Sequence, residues 1–329
     1  MARNARLSFL SLAILPALLW APADGLAAEE GLALVPTDAA SVGVIRLGEL
    51  RASPLASRIF EDTDRIASDG DAARFLEEAG LDPKRDVDVV VVSAIPGRGP
   101  QEHVLVLFEG RFDPARLSAA VINRGAAVRV ADDTEYYLID EGGHRKAAVA
   151  FVSRGLVMAG DEGALVRALS DRRRGGSGFL SGEGLGSSLS RIDRRASAWA
   201  LVDARRFPAG RRNRFEEGER STDPARALVG AMKSVTLYAV QATARSEELE
   251  FTATGVTADE ETQELLEDAL RGVIAAWRIA LSEKKPELVS VIRRFRVTRD
   301  DDGVTIRGTL PASFLQTVRE RRHARNNAE

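Results

Sequence analysis

Apolar and polar positions along this chain fall into short strand-like runs and longer helical stripes. Ser41–Leu47, Val87–Ile95 and His103–Phe112 are rich in β-branched residues and bounded by Gly, Pro or Asp, which predicts three strands. Val89–Val92 lacks alternation and reads as a strand covered on both faces. Helical patterns at Pro54–Ala67 and Ala72–Ala79 separate the first two strands, the second closed by Gly80. Asp113-Pro114 opens a helix through about Asn123, with Phe112 and Leu117 spaced as a hydrophobic staple. Short strands are expected at Ala127–Val130, Tyr136–Asp140, Ala147–Val152 and Leu156–Ala159, then a helix from about Glu162 to Ser170.

Residues 171–195 change character. Arg172-Arg-Arg-Gly-Gly-Ser-Gly178 and Ser181-Gly-Glu-Gly-Leu-Gly186 are glycine-rich enough to read as a linker or long surface loop. A second region opens with the strand Ser197–Asp203 and continues through a polar loop at Phe207–Thr222 and a helix start at Asp223-Pro224. Adjacent strands follow at Val235–Ala244 and Glu248–Gly255. Thr257-Ala-Asp-Glu260 has the form of a capping box for a long helix whose apolar stripe is Leu266, Leu270, Val273, Trp277 and Leu281. Pro286 ends that helix. A hairpin, Phe295–Arg299 and Val304–Leu310 about a turn at Asp302-Gly303, and a helix over Ala312–Arg322 complete the pattern.

The halves resemble each other. Ser41–Leu47 corresponds to Ser197–Asp203, the strand-to-helix passage at Gly110–Asp113 to that at Gly255–Asp259, and Leu156–Gly160 to Val304–Gly308. The expected fold class is α+β: two similar sheet-plus-helix halves, with mixed or antiparallel sheets and helices packed on them. The expected domains are 29–170 and 196–322, joined by 171–195 and followed by a polar tail, 323–329.

Ahead of them stands a different pattern. Arg3 and Arg6 precede an apolar run from Leu7 to Ala21, and Gly25-Leu26-Ala27-Ala28 leads into Glu29-Glu30. Charged, apolar and small-residue regions in this order form a secretory signal peptide over residues 1–28, with cleavage at Ala27 or Ala28. About 15 apolar residues interrupted by Pro16 are short for a bilayer span, which takes roughly 20. The expected location is the periplasm or the extracellular space.

Composition removes several chemistries. The chain has 329 residues and no cysteine, so disulfides, thiolate metal sites, cysteine nucleophiles and lipoprotein attachment are excluded together. A net charge of −3 gives no general attraction to nucleic acid. Lysine occurs only at Lys84, Lys146, Lys233, Lys284 and Lys285; the remaining positive charge is arginine, with runs at Arg172–Arg174 and Arg319–Arg325 that read as solvated surface or as forks for anionic lipids or sugars.

Catalytic patterns fail in turn. His103, His144 and His323 have no metal-motif spacing. There is no Gly-x-Ser-x-Gly elbow. Gly182-x-Gly184-x-Gly186 lacks the lysine and preceding strand of a phosphate loop, and Asp300–Gly303 reads as a charged hairpin turn. The carboxylate pairs Glu77/Glu78, Asp132/Asp133 and Glu216/Glu217 are expected on solvated surface, and Trp199 and Trp277 in the core. No catalytic, cofactor or metal residues are assigned.

Leu34-Val-Pro-Thr-Asp38, Ser41–Leu50, Ala79-Gly-Leu-Asp-Pro-Lys84 and Phe108-Glu-Gly-Arg-Phe-Asp113 resemble the phrasing of uncharacterised exported bacterial proteins of the domain-of-unknown-function kind. That resemblance implies a duplicated α+β body in the cell envelope without an assigned activity. The functional expectation is a non-catalytic periplasmic binding or envelope-associated module whose partner is an envelope protein or glycan. A carboxylate-based hydrolase of envelope polymers is one alternative. Peripheral membrane association through the arginine-rich C-terminal helix is another.

Overall fold

The computed structural model describes residues 29–53, 70–97, 102–140, 146–206, 230–284 and 286–311. The expected leader, the expected helices at Pro54–Ala67, Asp223 onward and Ala312–Arg322, the expected loop Phe207–Thr222, and the residues His144, His323, Glu216 and Glu217 lie outside the described residues.

One twelve-stranded antiparallel sheet organises the chain. Its strands are β1 (Ser41–Arg46), β2 (Val87–Pro96), β3 (Glu102–Gly110), β4 (Ala127–Ala131), β5 (Thr134–Asp140), β6 (Lys146–Ser153), β7 (Leu156–Asp161), β8 (Ala198–Asp203), β9 (Val235–Ala244), β10 (Glu248–Thr257), β11 (Arg296–Asp300) and β12 (Gly303–Pro311). The helices are α1 (Glu29–Leu34), α2 (Gly70–Ala79), α3 (Pro114–Asn123), α4 (Glu162–Arg173), α5 (Glu260–Lys284) and α6 (Pro286–Ile292), with single helical turns at Leu47–Leu50 and Pro83–Asp86. The α+β expectation is met, and the architecture adds a finding: the strands of both halves join edge to edge.

The join is the pair β1–β8, in register from Ser41↔Val202 through Val44↔Trp199 to Ile45↔Ala198. Outward from it the order is β1-β2-β3-β7-β6-β5-β4 on one side and β8-β9-β10-β12-β11 on the other. The two sides share a course: three consecutive strands, a helix, and a returning hairpin whose second strand pairs with the third. The first side adds β4 and β5.

Strand alternation sorts side chains onto two faces. Val42, Val44, Val89, Val91, Leu105, Leu107, Met158, Trp199 and Leu201 form the main core with α1 and α4. On the opposite face Phe108, Val149, Phe151 and Val157 meet α2 and α3, while Val235 and Val304 meet Leu266 of α5. The valine run of β2 does alternate in burial: Val89 and Val91 are buried, Val90 and Val92 half-buried.

Local signals explain most boundaries. Asp113 caps α3 by accepting hydrogen bonds from the N–H groups of Ala115 (3.0 Å) and Arg116 (3.2 Å). Gly80, at φ +62°, ends α2 with the N–H of Leu81 donating to the carbonyl of Leu76. Asp259, not Thr257, caps α5: its carboxylate accepts from the N–H of Thr262 at 2.8 Å, and that bond holds its carboxyl below the usual range. In the β11–β12 hairpin, Asp300 pairs with Gly303, so the turn residues are Asp301 and Asp302.

The glycine-rich stretch departs from expectation. Helix α4 runs through Arg173, and residues 178–191 form two 3₁₀ segments, Gly178–Ser181 and Gly184–Arg191. Phe179 is fully buried and stacks on Trp199 of β8 with centroids 6.4 Å apart. The glycines serve close approach: a Cβ on Gly178 (φ +50°) would stand 2.2 Å from the carbonyl oxygen of Ala33, and one on Gly186 2.2 Å from that of Phe179. A connector thus becomes a cover for the β1–β8 seam. Replacing Phe179 by Ala should lower stability by about 3–5 kcal/mol, read from urea unfolding. A loss under 1 kcal/mol would mean the segment is dispensable to the core.

Candidate functional site

Two charged residues occupy core positions where β1 and β3 finish. Along β1 the inward positions are Val42, Val44 and Arg46; along β3 they are Leu105, Leu107 and Glu109. Register places Arg46, Val89, Glu109 and Leu156 in one row across β1, β2, β3 and β7. Arg46 is 5% exposed and Glu109 6%. At about 4.8 Å per strand their backbones stand roughly 10 Å apart, with Val89 between them.

Helix α1 lies over this row. The N–H of Gly31 donates to Oε1 of Glu109 at 2.7 Å, while Leu32 and Leu34 sink into the core. The fit is close, because a Cβ on Gly31 would stand 2.7 Å from that same oxygen and 3.2 Å from a methyl of Val91. Burial pushes the Glu109 carboxyl up to about 7; Glu30 adds to this, while the Gly31 bond and the Arg46 charge oppose it. On the other side Arg46 donates from Nη2 to the carbonyl of Arg194 at 2.7 Å, and its own N–H donates to the carbonyl of Ser197 at 3.0 Å. Its Nε and Nη1 are buried without a hydrogen-bond partner among the described residues. A buried guanidinium and a buried carboxylate thus stand in one row at the sheet end, on either side of Val89.

Other charged groups are occupied in holding the fold. Asp161 accepts the N–H of Val104 at 2.7 Å and lies 3.7 Å from Nδ1 of His103, fastening β7 to the start of β3. Burial works to raise the Asp203 carboxyl, but a two-pronged contact from Arg205 at 2.9 Å, with Arg206 at 3.3 Å, holds it below its usual range. Asp86 accepts from Arg85 at 2.9 Å and from the N–H of Asp82 at 2.8 Å, and is held low chiefly by Arg85.

The residues singled out in the sequence do not converge. Ala27 and Ala28 lie outside the described residues. Asp132 and Asp133 form the positive-φ turn between β4 and β5. Asp132 accepts from Ser170 and lies 3.2 Å from Arg173, and the Ser170 bond holds its carboxyl low. Arg173 and Arg174 therefore pair with Asp132, Asp133 and Asp171. Glu78 pairs with Arg124, and Glu77 borders a shallow cleft of about 420 Å³ floored by Leu76, Leu81 and Pro83. Trp199 is a core residue, but Trp277, on the 25-residue α5, is 53% exposed. Among the described residues no three His, Asp or Glu side chains group as metal ligands. Arg46 and Glu109 were not singled out, although a charge at the inward parity of Val-x-Val-x-Arg and Leu-x-Leu-x-Glu is a legible signal.

No protein-family model matches the chain, and no curated protein matches it. Among solved structures the chain is similar to TP0453 in three crystal forms. Form I has a TM-score of 0.44 at 12% identity, over 91% of this chain and 97% of that one. Form III has 0.45 at 12%, over 87% and 96%. Form IV has 0.42 at 13%, over 87% and 95%. This is a distant likeness in the course of the chain.

The Glu109 carboxyl gives a pH prediction. Between the ordinary value of 4.5 and about 7 the folded protein keeps a proton that the unfolded chain releases. Stability from this group is therefore full below pH 4.5 and falls by on the order of 3 kcal/mol as pH rises to 7. Glu109→Gln should remove that fall, so the difference between variant and parent in urea unfolding should widen from pH 5 to pH 8. A constant difference would show that Glu109 does not titrate in this range.

Proposed function

We propose that this chain is an exported, non-catalytic binding or envelope-associated module, with its leader removed at Ala27 or Ala28 and its body working in the periplasm or outside the cell. The leader pattern supports the address. The observation that carries the rest is how the buried charges are used: Asp161, Asp203 and Asp86 close strand ends and turns, and Glu109 anchors α1. Groups spent in this way hold a scaffold rather than line a cleft. The shared strand order on the two sides of the seam fits an origin by duplication. Among the described residues no helix is long and apolar enough to cross a membrane.

The hydrolase alternative has one observation in its favour, the raised Glu109 carboxyl. Against it stands the position of that carboxyl, 6% exposed beneath α1. Membrane association would rest on Arg319–Arg325, outside the described residues.

Fusing residues 1–40 to a reporter active only outside the cytoplasm should give an active reporter whose first residue is Ala28 or Glu29. A cytoplasmic, unprocessed fusion would refute export. For the binding role, mature protein used as bait on envelope extract should retain a specific protein or glycan, and Glu109→Gln should retain it equally. Capture lost with Glu109→Gln, together with polymer cleavage by the parent, would favour the hydrolase.

A further inference from the structure

We propose that the open edge of the sheet, strand β4, is the docking surface for a second copy of this chain: two β4 strands pair antiparallel about a two-fold axis and run one sheet through both molecules. This inference is independent of the export reading above.

Strand β4 is the last strand beyond β5, so one side of it is unpaired among the described residues. The hairpin that joins it to β5 closes on Ala131↔Thr134 over two residues, Asp132 and Asp133, both at positive φ. The closing pair of such a hairpin exchanges both its hydrogen bonds and alternate pairs follow it, so Arg129 and Ala127 also bond inward to β5. The N–H and C=O groups of Val128 and Val130 therefore point out along the open edge. The side chains sort in the same way. Ala127 and Ala131 pack on the main core, whereas Val128 and Val130 stand on the other face, 44% and 67% exposed. Ile122, 46% exposed, joins them. It follows Ser118 by one turn of α3, and Ser118 accepts from the hydroxyl of Tyr137, the residue opposite Val128. Three of the six large apolar side chains exposed among the described residues thus gather at one strand edge.

The opposite edge is built to refuse a partner. Strand β11 carries Arg296, Arg299 and Asp300, and Arg299 is tied to Glu267 of α5 at 3.2 Å. Charge on an edge strand guards it against pairing, and β4 has such a charge only at Arg129. That arginine also selects the register. Pairing about Arg129 sets two guanidiniums opposite each other, which is unfavourable. Pairing about Val130 draws the positive-φ Asp132 into the strand. Pairing about Val128 meets neither objection: Val128 faces its own copy, Arg129 faces Ala127, and Val130 faces Ala126. The Asp132-Asp133 turn of each molecule is then carried toward Arg124 of the other. The strand is self-complementary in that one register, the condition for a two-fold contact. The outer edges of the dimer are two β11 strands, so growth stops at two. In the free chain Arg129 acts as a latch, its Nη1 donating to the outward carbonyl of Val128 at 3.2 Å; in the dimer the N–H of Val128 from the other copy takes that place. A short strand on each side makes a small interface, so the association is weak.

The test is sedimentation velocity on the purified protein, in the form that the cell accumulates, from low micromolar to near-millimolar concentration. A reversible monomer–dimer equilibrium is expected. Val130→Lys, at a side chain already in solvent, should weaken it by roughly tenfold or more. Arg129→Ala frees the Val128 carbonyl and should strengthen it, a gain that loss of folding cannot imitate. The chain has no cysteine, so Val128→Cys reports the register. Two facing copies of position 128 have Cα atoms about 5.5 Å apart, within disulfide range, and mild oxidation should yield a covalent dimer, whereas Arg296→Cys on β11 should not. A protein monomeric throughout, or a dimer that Val130→Lys leaves intact and Val128→Cys does not cross-link, overturns the proposal. So does a monomer that captures another envelope protein only while Val130 is unchanged, since the edge then belongs to a foreign strand.

Discussion

The antiparallel contact between β1 and β8 is the constraint from which the rest of the architecture follows. Each strand begins a half of the chain, and each pairs on its far side with the next strand in sequence. Without the seam, the inward row of Val42, Val44, Trp199 and Leu201 would lie along two open edges, each with a line of unpaired backbone groups. The seam has a cover as well. The 178–191 segment lays Phe179 against Trp199, with glycines where its backbone meets α1 and its own preceding turn. Hydrogen bonds from Arg46 to Arg194 and Ser197 tie the end of β1 to the approach to β8. A connection that composition marks as slack is held on both sides.

That contrast separates what the residues disclose in order from what they disclose only in space. Strand positions, the Asp113 cap, the Gly80 stop and the Pro286 break are short-range effects, and each stands in the sequence as an intelligible signal. The correspondence of Ser41–Leu47 with Ser197–Asp203 was also visible, yet nothing local says that these two strands pair with each other. Pairing between residues about 156 positions apart depends on which edges remain free after hairpins form. Glycine density at 175–186 is ambiguous for a related reason: glycine serves flexibility and close approach equally, and only the Ala33 and Phe179 carbonyls decide between them. Trp277 fails differently. Leu266 and Val273 of the same helical stripe are buried, yet Trp277 is 53% exposed.

The candidate site was legible in part. Arg46 and Glu109 stand on the inward parity of strands whose other inward residues are valine and leucine, and that violation is a readable sign. What cannot be read is that they share a row under one helix, since this requires β2 to lie between β1 and β3 and α1 to fold back across 78 residues.

A leucine at position 109 would satisfy the core more simply, and a buried carboxylate is seldom a gain in stability by itself. The structural demand it answers is direction. Helix α1 has six residues, far below the length at which a helix persists alone. Leu32, Leu34 and the following Val35 supply burial, but apolar contact sets depth and is indifferent to a small slide along the sheet. A hydrogen bond is not indifferent. The bond from Gly31 to Oε1 fixes where the helix begins along its axis, and the absence of a Cβ at Gly31 lets the helix come close enough to make it. Arg46 in the same row offsets part of the cost of burying that charge. The buried pair at the sheet end is therefore best understood as a positional device, in which a loss of apolar burial is exchanged for one defined seating of the first helix.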